Sequence, residues 1–366
     1  MPDFRSIAIS RRDFARAAFG AAALAGAPAL AANRPLEPLS PGIKISLQIP
    51  NPFEADDLTF AKQMGVDYVS IPTSGGTYEV FRDFKGRVES AGLKIANIGN
   101  SNVHNMPEVT LNLPGRDEKI EEYKQYLRNL GKAGIYYTTY AHMGNGIWSS
   151  ERETTRGGAP ARAFKLETAK GYWVGKVFEP PLSHGRKFTK EELWENYTYF
   201  IKQVVPVAEE EGIRIGIHPD DPPVPELGGV PRHMFGTYDG YVKALEIANS
   251  PNVGVCLCCG TWMEGGDATG KPVMEAVRGF AKMGKLWKIH FRNVTGPIPY
   301  FVETYVDDGY TDMKQLMRTL VDVDFRGILI ADHVPQMVGD RKTGWAYSIG
   351  YIKALYDMAR DEKKRG

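Results

Sequence analysis

The chain has 366 residues, 43% of them hydrophobic, and carries 45 Lys and Arg against 44 Asp and Glu for a formal charge of +1. That content supports a sizeable core in one large unit, and the balanced charge excludes a basic field suited to nucleic acid or an anionic membrane surface. Nothing beyond the N-terminal stretch approaches 18 consecutive apolar residues, so no stable membrane span is expected in the mature chain.

Residues 1–31 read as a twin-arginine signal peptide. Ser10-Arg11-Arg12-Asp13-Phe14 is followed by the Ala/Gly-rich stretch from Ala17 to Gly26 and by Ala29-Leu30-Ala31, a small-residue cleavage signal. The expectation is an exported, periplasmic protein that meets the twin-arginine machinery as a transient partner, with 32–41 as a linker and 42–362 as one catalytic domain. All three cysteines, Cys256, Cys258 and Cys259, fall on one strand-like run, so no long-range disulfide is available.

From residue 42 the pattern alternates. Strand-like runs rich in β-branched residues occur at 44–50, 68–74, 94–100, 135–143, 213–219, 253–260, 286–293 and 327–334. Helical periodicity is expected at 54–64, 79–91, 116–132, 190–211, 236–249, 272–283, 311–323 and 344–360. Thr189-Lys190-Glu191-Glu192 is a capping box for the helix at 190–211, and Gly134, Gly212 and Gly327 stand where helices give way to strands. Eight strands alternating with eight helices is the count of a single (β/α)₈ barrel, an α/β fold. The connection 144–188 is too long for a plain turn and predicts a lid or an oligomer contact, so a homo-oligomer is one expected state.

The last four strand-like runs end alike. His218, Cys258, His290 and Asp332 stand near their C-termini, and a parallel barrel gathers all such ends on one face. Two imidazoles, a thiolate and a carboxylate form a mixed donor set that suits Mn²⁺, Fe²⁺ or Zn²⁺ better than Mg²⁺ or Ca²⁺. Alternation along the strand puts Cys256 and Cys258 on one face and Cys259 on the other. Gly265 to Lys271 spells GGDATGK, but Pro272 stands where a phosphate loop needs Ser or Thr, so a surface turn is expected.

The motifs His218-Pro219-Asp220-Asp221-Pro222-Pro223, Cys258-Cys259-Gly260-Thr261, His290-Phe291-Arg292-Asn293 and Asp332-His333 resemble those of the mannonate dehydratase family, lyases with xylose-isomerase-like barrels. Val103-His104 and the stretch Leu113-Pro114-Gly115-Arg116-Asp117-Glu118 look like that family too, and the resemblance spans about residues 42–360. It implies that His218, Cys258, His290 and Asp332 bind Mn²⁺ or Fe²⁺ and that His333 and Tyr347 are catalytic. The implied substrate is a small sugar acid: D-mannonate would lose the C2 proton and the C3 hydroxyl to give 2-keto-3-deoxy-D-gluconate. Arg292, Arg116, His104 and Asn293 are candidates to hold substrate, with Asp220 and Asp221 orienting ligands or binding sugar hydroxyls. Which of His333 and Tyr347 is the base stays open. Two other readings remain: a sugar isomerase or epimerase on the same barrel, and a non-catalytic periplasmic sugar-binding protein.

Overall fold

The computed structural model describes residues 33–365. The twin-arginine pattern and the cleavage signal lie outside the described residues. Eight parallel strands form one sheet: β1 (Lys44–Gln48), β2 (Tyr68–Thr73), β3 (Lys94–Asn100), β4 (Tyr137–Ala141), β5 (Arg214–His218), β6 (Val253–Cys258), β7 (Leu286–His290) and β8 (Ile328–Ile330). Their spatial order is β3-β2-β1-β8-β7-β6-β5-β4, so the sheet curls until its two ends, β3 and β4, face each other. Side chains bridge that seam, where the Ile98 carbonyl accepts hydrogen bonds from Tyr126 Oη (2.7 Å) and Thr138 Oγ1 (3.0 Å). The result is a nearly closed (β/α)₈ barrel, as the alternating pattern predicts.

The helices are α1 (Ala55–Gln63), α2 (Tyr78–Ser90), α3 (Pro107–Thr110), α4 (Arg116–Lys132), α5 (Lys190–Glu211), α6 (Tyr238–Ala248), α7 (Cys259–Gly265), α8 (Val273–Lys282), α9 (Met313–Asp322) and α10 (Arg341–Arg365). Their apolar positions recur at helical spacing. Val273, Ala276, Val277 and Phe280 of α8, and Met313, Leu316, Met317 and Leu320 of α9, are buried against the barrel. Removing each larger side chain of this kind from water stabilises the fold by about 1.5–3 kcal/mol. Thr189 forms the expected capping box, accepting from the Glu192 amide at 3.1 Å while Glu192 reaches back to the Thr189 amide at 2.6 Å. Gly212 ends α5 at φ 67°, a left-handed conformation. An added methyl there would also meet Arg34 at 2.8 Å. Gly212→Ala is therefore expected to lower stability by about 1 kcal/mol, read from the midpoint of urea unfolding.

Strand alternation separates two layers. Ile215, Ile217, Val253, Val255, Leu257, Ile289 and Leu329 belong to the main apolar core. Neighbouring positions on the same strands carry Cys256, Cys258, Lys288 and His290, which meet one another by hydrogen bonds and charge rather than by apolar packing.

Two expectations change, and the long connection after β4 gains structure of its own. The run 253–260 is not one strand, because the chain turns helical at Cys259 and the Cys258 thiol accepts a 3.4 Å hydrogen bond from the Thr261 amide at the start of α7. The run 327–334 stops at Ile330; the chain leaves the sheet before Asp332, and His333 sits at φ 47°, a conformation that costs a non-glycine residue free energy. The excursion 144–188 is folded: Ile147–Ser149, Lys170–Trp173 and Lys176–Phe178 form one antiparallel sheet, and Ala163–Lys165 pairs with Tyr300–Thr304 of the segment after β7.

Candidate active site

His218 closes β5, Cys258 closes β6 and His290 closes β7, and β6 and β7 are in register with Cys258 beside His290. One ligand atom from each of these three residues lies within 4.8 Å of the others, and all three are buried. Asp332 follows β8 and joins the set at its edge, with Oδ2 3.4 Å from His290 Nδ1 and 3.8 Å from Cys258 Sγ. His218 Nδ1 faces the Pro219 carbonyl at 2.8 Å. A carbonyl only accepts, so Nδ1 carries the hydrogen and the Nε2 lone pair stays free.

The donor chemistry fits a divalent ion. Burial pushes the His218 pKa down to about 4 and that of His290 to about 3, so both rings are neutral ligands at ordinary pH. Among the described residues His290 Nδ1 makes no well-aligned hydrogen bond and faces only the Asp332 carboxylate at 3.4 Å, an arrangement that a cation held between the two would satisfy. Burial pushes the Cys258 thiol well up, so its conversion to thiolate is coupled to the arrival of positive charge.

Beneath this set lies a buried ionic network. Arg292 is 1% exposed and reaches Glu264 Oε1 (2.7 Å), Asp332 Oδ2 (3.2 Å), Glu303 Oε1 (3.3 Å) and Asp221 Oδ2 (3.5 Å). Arg162, from the folded excursion, reaches Asp221 Oδ1 (2.6 Å), Glu303 Oε1 (3.0 Å) and Glu264 Oε1 (3.3 Å). Burial alone would push Asp221 up, but these two guanidinium groups hold it well below the usual carboxylate range. Glu264, whose pKa burial pushes up to about 7 with Asp221 beside it, is the least favourable charge of the group. The first turn of α7 makes room for the network at Gly260, where a methyl would run into the Arg292 side chain.

His333 Nδ1 lies 2.7 Å from Glu303 Oε1, and its Nε2 lies 3.8 Å from Asp332 Oδ2. The His333 side chain is 36% exposed, so desolvation only partly opposes the charged imidazole, and the two carboxylates prevail and raise its pKa to about 9. Tyr347, in the second turn of α10, stacks edge-on against Tyr305 and accepts a 3.3 Å hydrogen bond from Arg156, which itself grips Asp307 at 2.8 Å. His333 and Tyr347 are thus both tied to the segment 303–307.

The other sequence candidates divide. His104 is half-buried, faces the Thr139 carbonyl at 3.1 Å and stacks on Trp173 of the excursion; desolvation, then the charges of His218 and Lys288, push its pKa down to about 3. Asp220 is buried beside Arg232, and burial pushes it up to about 6. Arg292 and Asn293 do not open onto free space. Arg292 is held by protein carboxylates, while Asn293 bonds the Thr311 carbonyl (2.9 Å) and the Val294 amide (3.0 Å), tying two backbone segments together. Arg116 is drawn away from the site to the outer face between α4 and α5. There it pairs with Asp117 at 3.0 Å and lies 3.7 Å from the Tyr199 ring centroid. Arg116→Ala is accordingly expected to change kcat/KM by less than about threefold, the scale of a surface pair.

Sequence reasoning missed Arg162, Glu264, Glu303 and Lys288. A charge inside the apolar run Tyr300-Phe301-Val302-Glu303-Thr304 was a usable signal for Glu303, and Lys288 inside Leu286-Trp287-Lys288-Ile289 was another. Lys288 is 3% exposed, reaches Thr139 Oγ1 at 3.4 Å and has its pKa lowered by burial.

The family model described as D-mannonate dehydratase (UxuA) matches residues 66–170 and 176–365. The chain belongs to this family. A mannonate dehydratase from Streptococcus pneumoniae is 31% identical over 294 residues, covering 75% of this chain and 78% of that protein. One from Thermotoga maritima is 29% identical over 322 residues, with 79% and 88% covered. The crystal structure of mannonate dehydratase from Streptococcus suis superposes with a TM-score of 0.77 at 25% identity, covering 89% of this chain and 95% of that one. A xylose isomerase domain protein from Planctomyces limnophilus, at 14% identity and a TM-score of 0.59, shares the fold.

Family membership makes the protein a metal-dependent hydro-lyase acting on D-mannonate and sets aside the isomerase and binding-protein readings. It also corrects the expected location. The mannonate dehydratases of Streptococcus, Thermotoga and Geobacillus are cytoplasmic enzymes, and that finding overturns the periplasmic assignment drawn from residues 1–31. Among the described residues no helix is long and apolar enough to cross a membrane.

Proposed function

We propose that the barrel of residues 42–362 dehydrates D-mannonate at a centre where His218, Cys258, His290 and Asp332 hold Mn²⁺ or Fe²⁺, with His333 and Tyr347 moving the protons. The observation that carries this reading is the convergence of His218, Cys258 and His290 at the strand ends, with Asp332 at 3.4 Å from His290. The two neutral imidazoles and the buried thiol favour a borderline ion over Mg²⁺ or Ca²⁺. When bound, such an ion stabilises the negative charge that develops on the substrate carboxylate and 2-oxygen.

The chain's own groups supply the rest. Glu303, 2.7 Å from His333 Nδ1, favours the protonated imidazole, which suits His333 to be the acid that serves the departing 3-hydroxyl. Tyr347 is then left with the C2 proton; burial and the Asp307 carboxylate raise its pKa, and Arg156 at 3.3 Å from its hydroxyl oxygen works against that rise. Arg292 and Arg162 position Asp332, Asp221 and Glu303 from below, and His104 and Trp173 wall the site from the side of β3.

The test is direct. Purified protein supplied with Mn²⁺ or Fe²⁺ and D-mannonate is expected to release 2-keto-3-deoxy-D-gluconate, identified by chromatography against an authentic standard. Return of an epimer of the substrate without loss of water would instead place it with the sugar epimerases of the same fold.

A further inference from the structure

The excursion after β4 delivers three arginines to the mouth of the barrel, and they are treated differently. Arg162 is surrounded by Asp221, Glu264 and Glu303, and Arg156 is paired with Asp307. Arg152 has no hydrogen-bond or ion-pair partner among the described residues. Its side chain lines a cavity of about 560 Å³ that also contains Asp332, His333, Gln48, Gln336 and, from the first turn of α10, Arg341. That volume is in the range of small-molecule sites and ample for a six-carbon acid.

The charges around this cavity do not cancel. Of its two carboxylates, Asp332 is bound up with Arg292, His290 and His333, and Asp340 accepts hydrogen bonds from the Lys342 amide at 2.9 Å and the Thr343 amide at 3.3 Å, capping α10. Arg341 lies over Trp345, 5.9 Å from the ring centroid, and is paired with no carboxylate among the described residues. Two guanidinium groups far apart in sequence, those of residues 152 and 341, therefore share one polar cavity with the proposed acid His333 and have no carboxylate partner of their own among the described residues. We propose that Arg152 and Arg341 are specificity-determining residues that bind a carboxylate of the sugar acid, a planar anion that the guanidinium fork matches with two parallel hydrogen bonds. This rests on the dehydratase reading for the identity of the acid, but the subsite itself rests on the cavity.

The carboxylate could be the one at C1 or a second one at the far end of the chain. Steady-state kinetics of Arg152→Gln, Arg341→Gln and Arg152→Lys with D-mannonate and with the dicarboxylate D-mannarate distinguish the two. Each Gln variant is expected to raise KM about tenfold or more, and to raise it far more than it lowers kcat, with part of the loss recovered by Arg152→Lys. An effect on both acids assigns the C1 carboxylate; an effect confined to D-mannarate assigns the terminal one. Calorimetric titration of the same acids into the metal-loaded protein reads the subsite even without turnover. A wild type that binds but dehydrates neither acid would sink the dehydratase reading alone. KM and Kd unchanged for both acids in the Arg152→Gln/Arg341→Gln double variant would overturn the proposal.

Discussion

Replacing Tyr347 by Phe is expected to lower kcat by about 10² or more while metal content and KM change little, because one hydroxyl is lost and the ring stays against Tyr305. The setting of Tyr347 makes this sharper than the sequence allowed. Its hydroxyl is held by Arg156 at 3.3 Å, and Arg156 is anchored on Asp307, so the oxygen is aimed rather than free to rotate into solvent. Exchange of the C2 hydrogen with deuterated water separates the two proton transfers. A Tyr347→Phe enzyme should fail to exchange that hydrogen. His333→Asn should still exchange it while forming little product, since the variant retains the base and lacks the acid. Full turnover by Tyr347→Phe would reduce the residue to packing and dissolve the proposed pair.

The second large effect concerns the ion. Cys258→Ser exchanges a potential thiolate for a neutral hydroxyl and is expected to weaken metal binding by at least about 10²-fold, as measured by elemental analysis after dialysis against a graded chelator. Cys259→Ser is expected to keep its metal, because Cys259 has left the strand for α7 and packs in the main apolar core. Both thiols are fully buried, so unequal exposure cannot account for a difference between the two variants. Equal loss in both would contradict the division of the two cysteines between site and core.

The register of β6 and β7 is what makes the first cysteine a candidate ligand. Cys258 and His290 are directly paired across the ladder, and the irregularity between Val255 and Cys256 brings Cys256 opposite Lys288 two pairs below, on the same face. Cys256 Sγ then lies 3.4 Å from His290 Nε2, leaving His290 Nδ1 to face Asp332. A single-residue slip in this pairing would send the metal-type side chains into the apolar layer, so the packing of Leu257 and Ile289 and the assembly of the site are one requirement.

Local information determined a great deal of this protein. Period-2 and period-3.6 patterning, Thr189 at a helix start and Gly212 at a helix end are short-range properties, and they placed all eight barrel strands and the main helices within a few residues of their observed limits. Strand ends share one face in any parallel barrel, so His218, Cys258, His290 and Asp332 could be grouped before any contact was known. Three-dimensional closure decided the rest. Whether an arginine meets substrate or protein depends on which carboxylates surround it after folding, and no spacing rule reports that. Arg292 proved to be enclosed by Glu264, Glu303, Asp221 and Asp332, and Arg116 lay outside on Tyr199. The excursion 144–188 carries little periodicity of its own, because its short strands gain their partners from one another and from the segment after β7; only the folded chain shows that it brings Arg152, Arg156 and Arg162 to three different places at the mouth of the barrel.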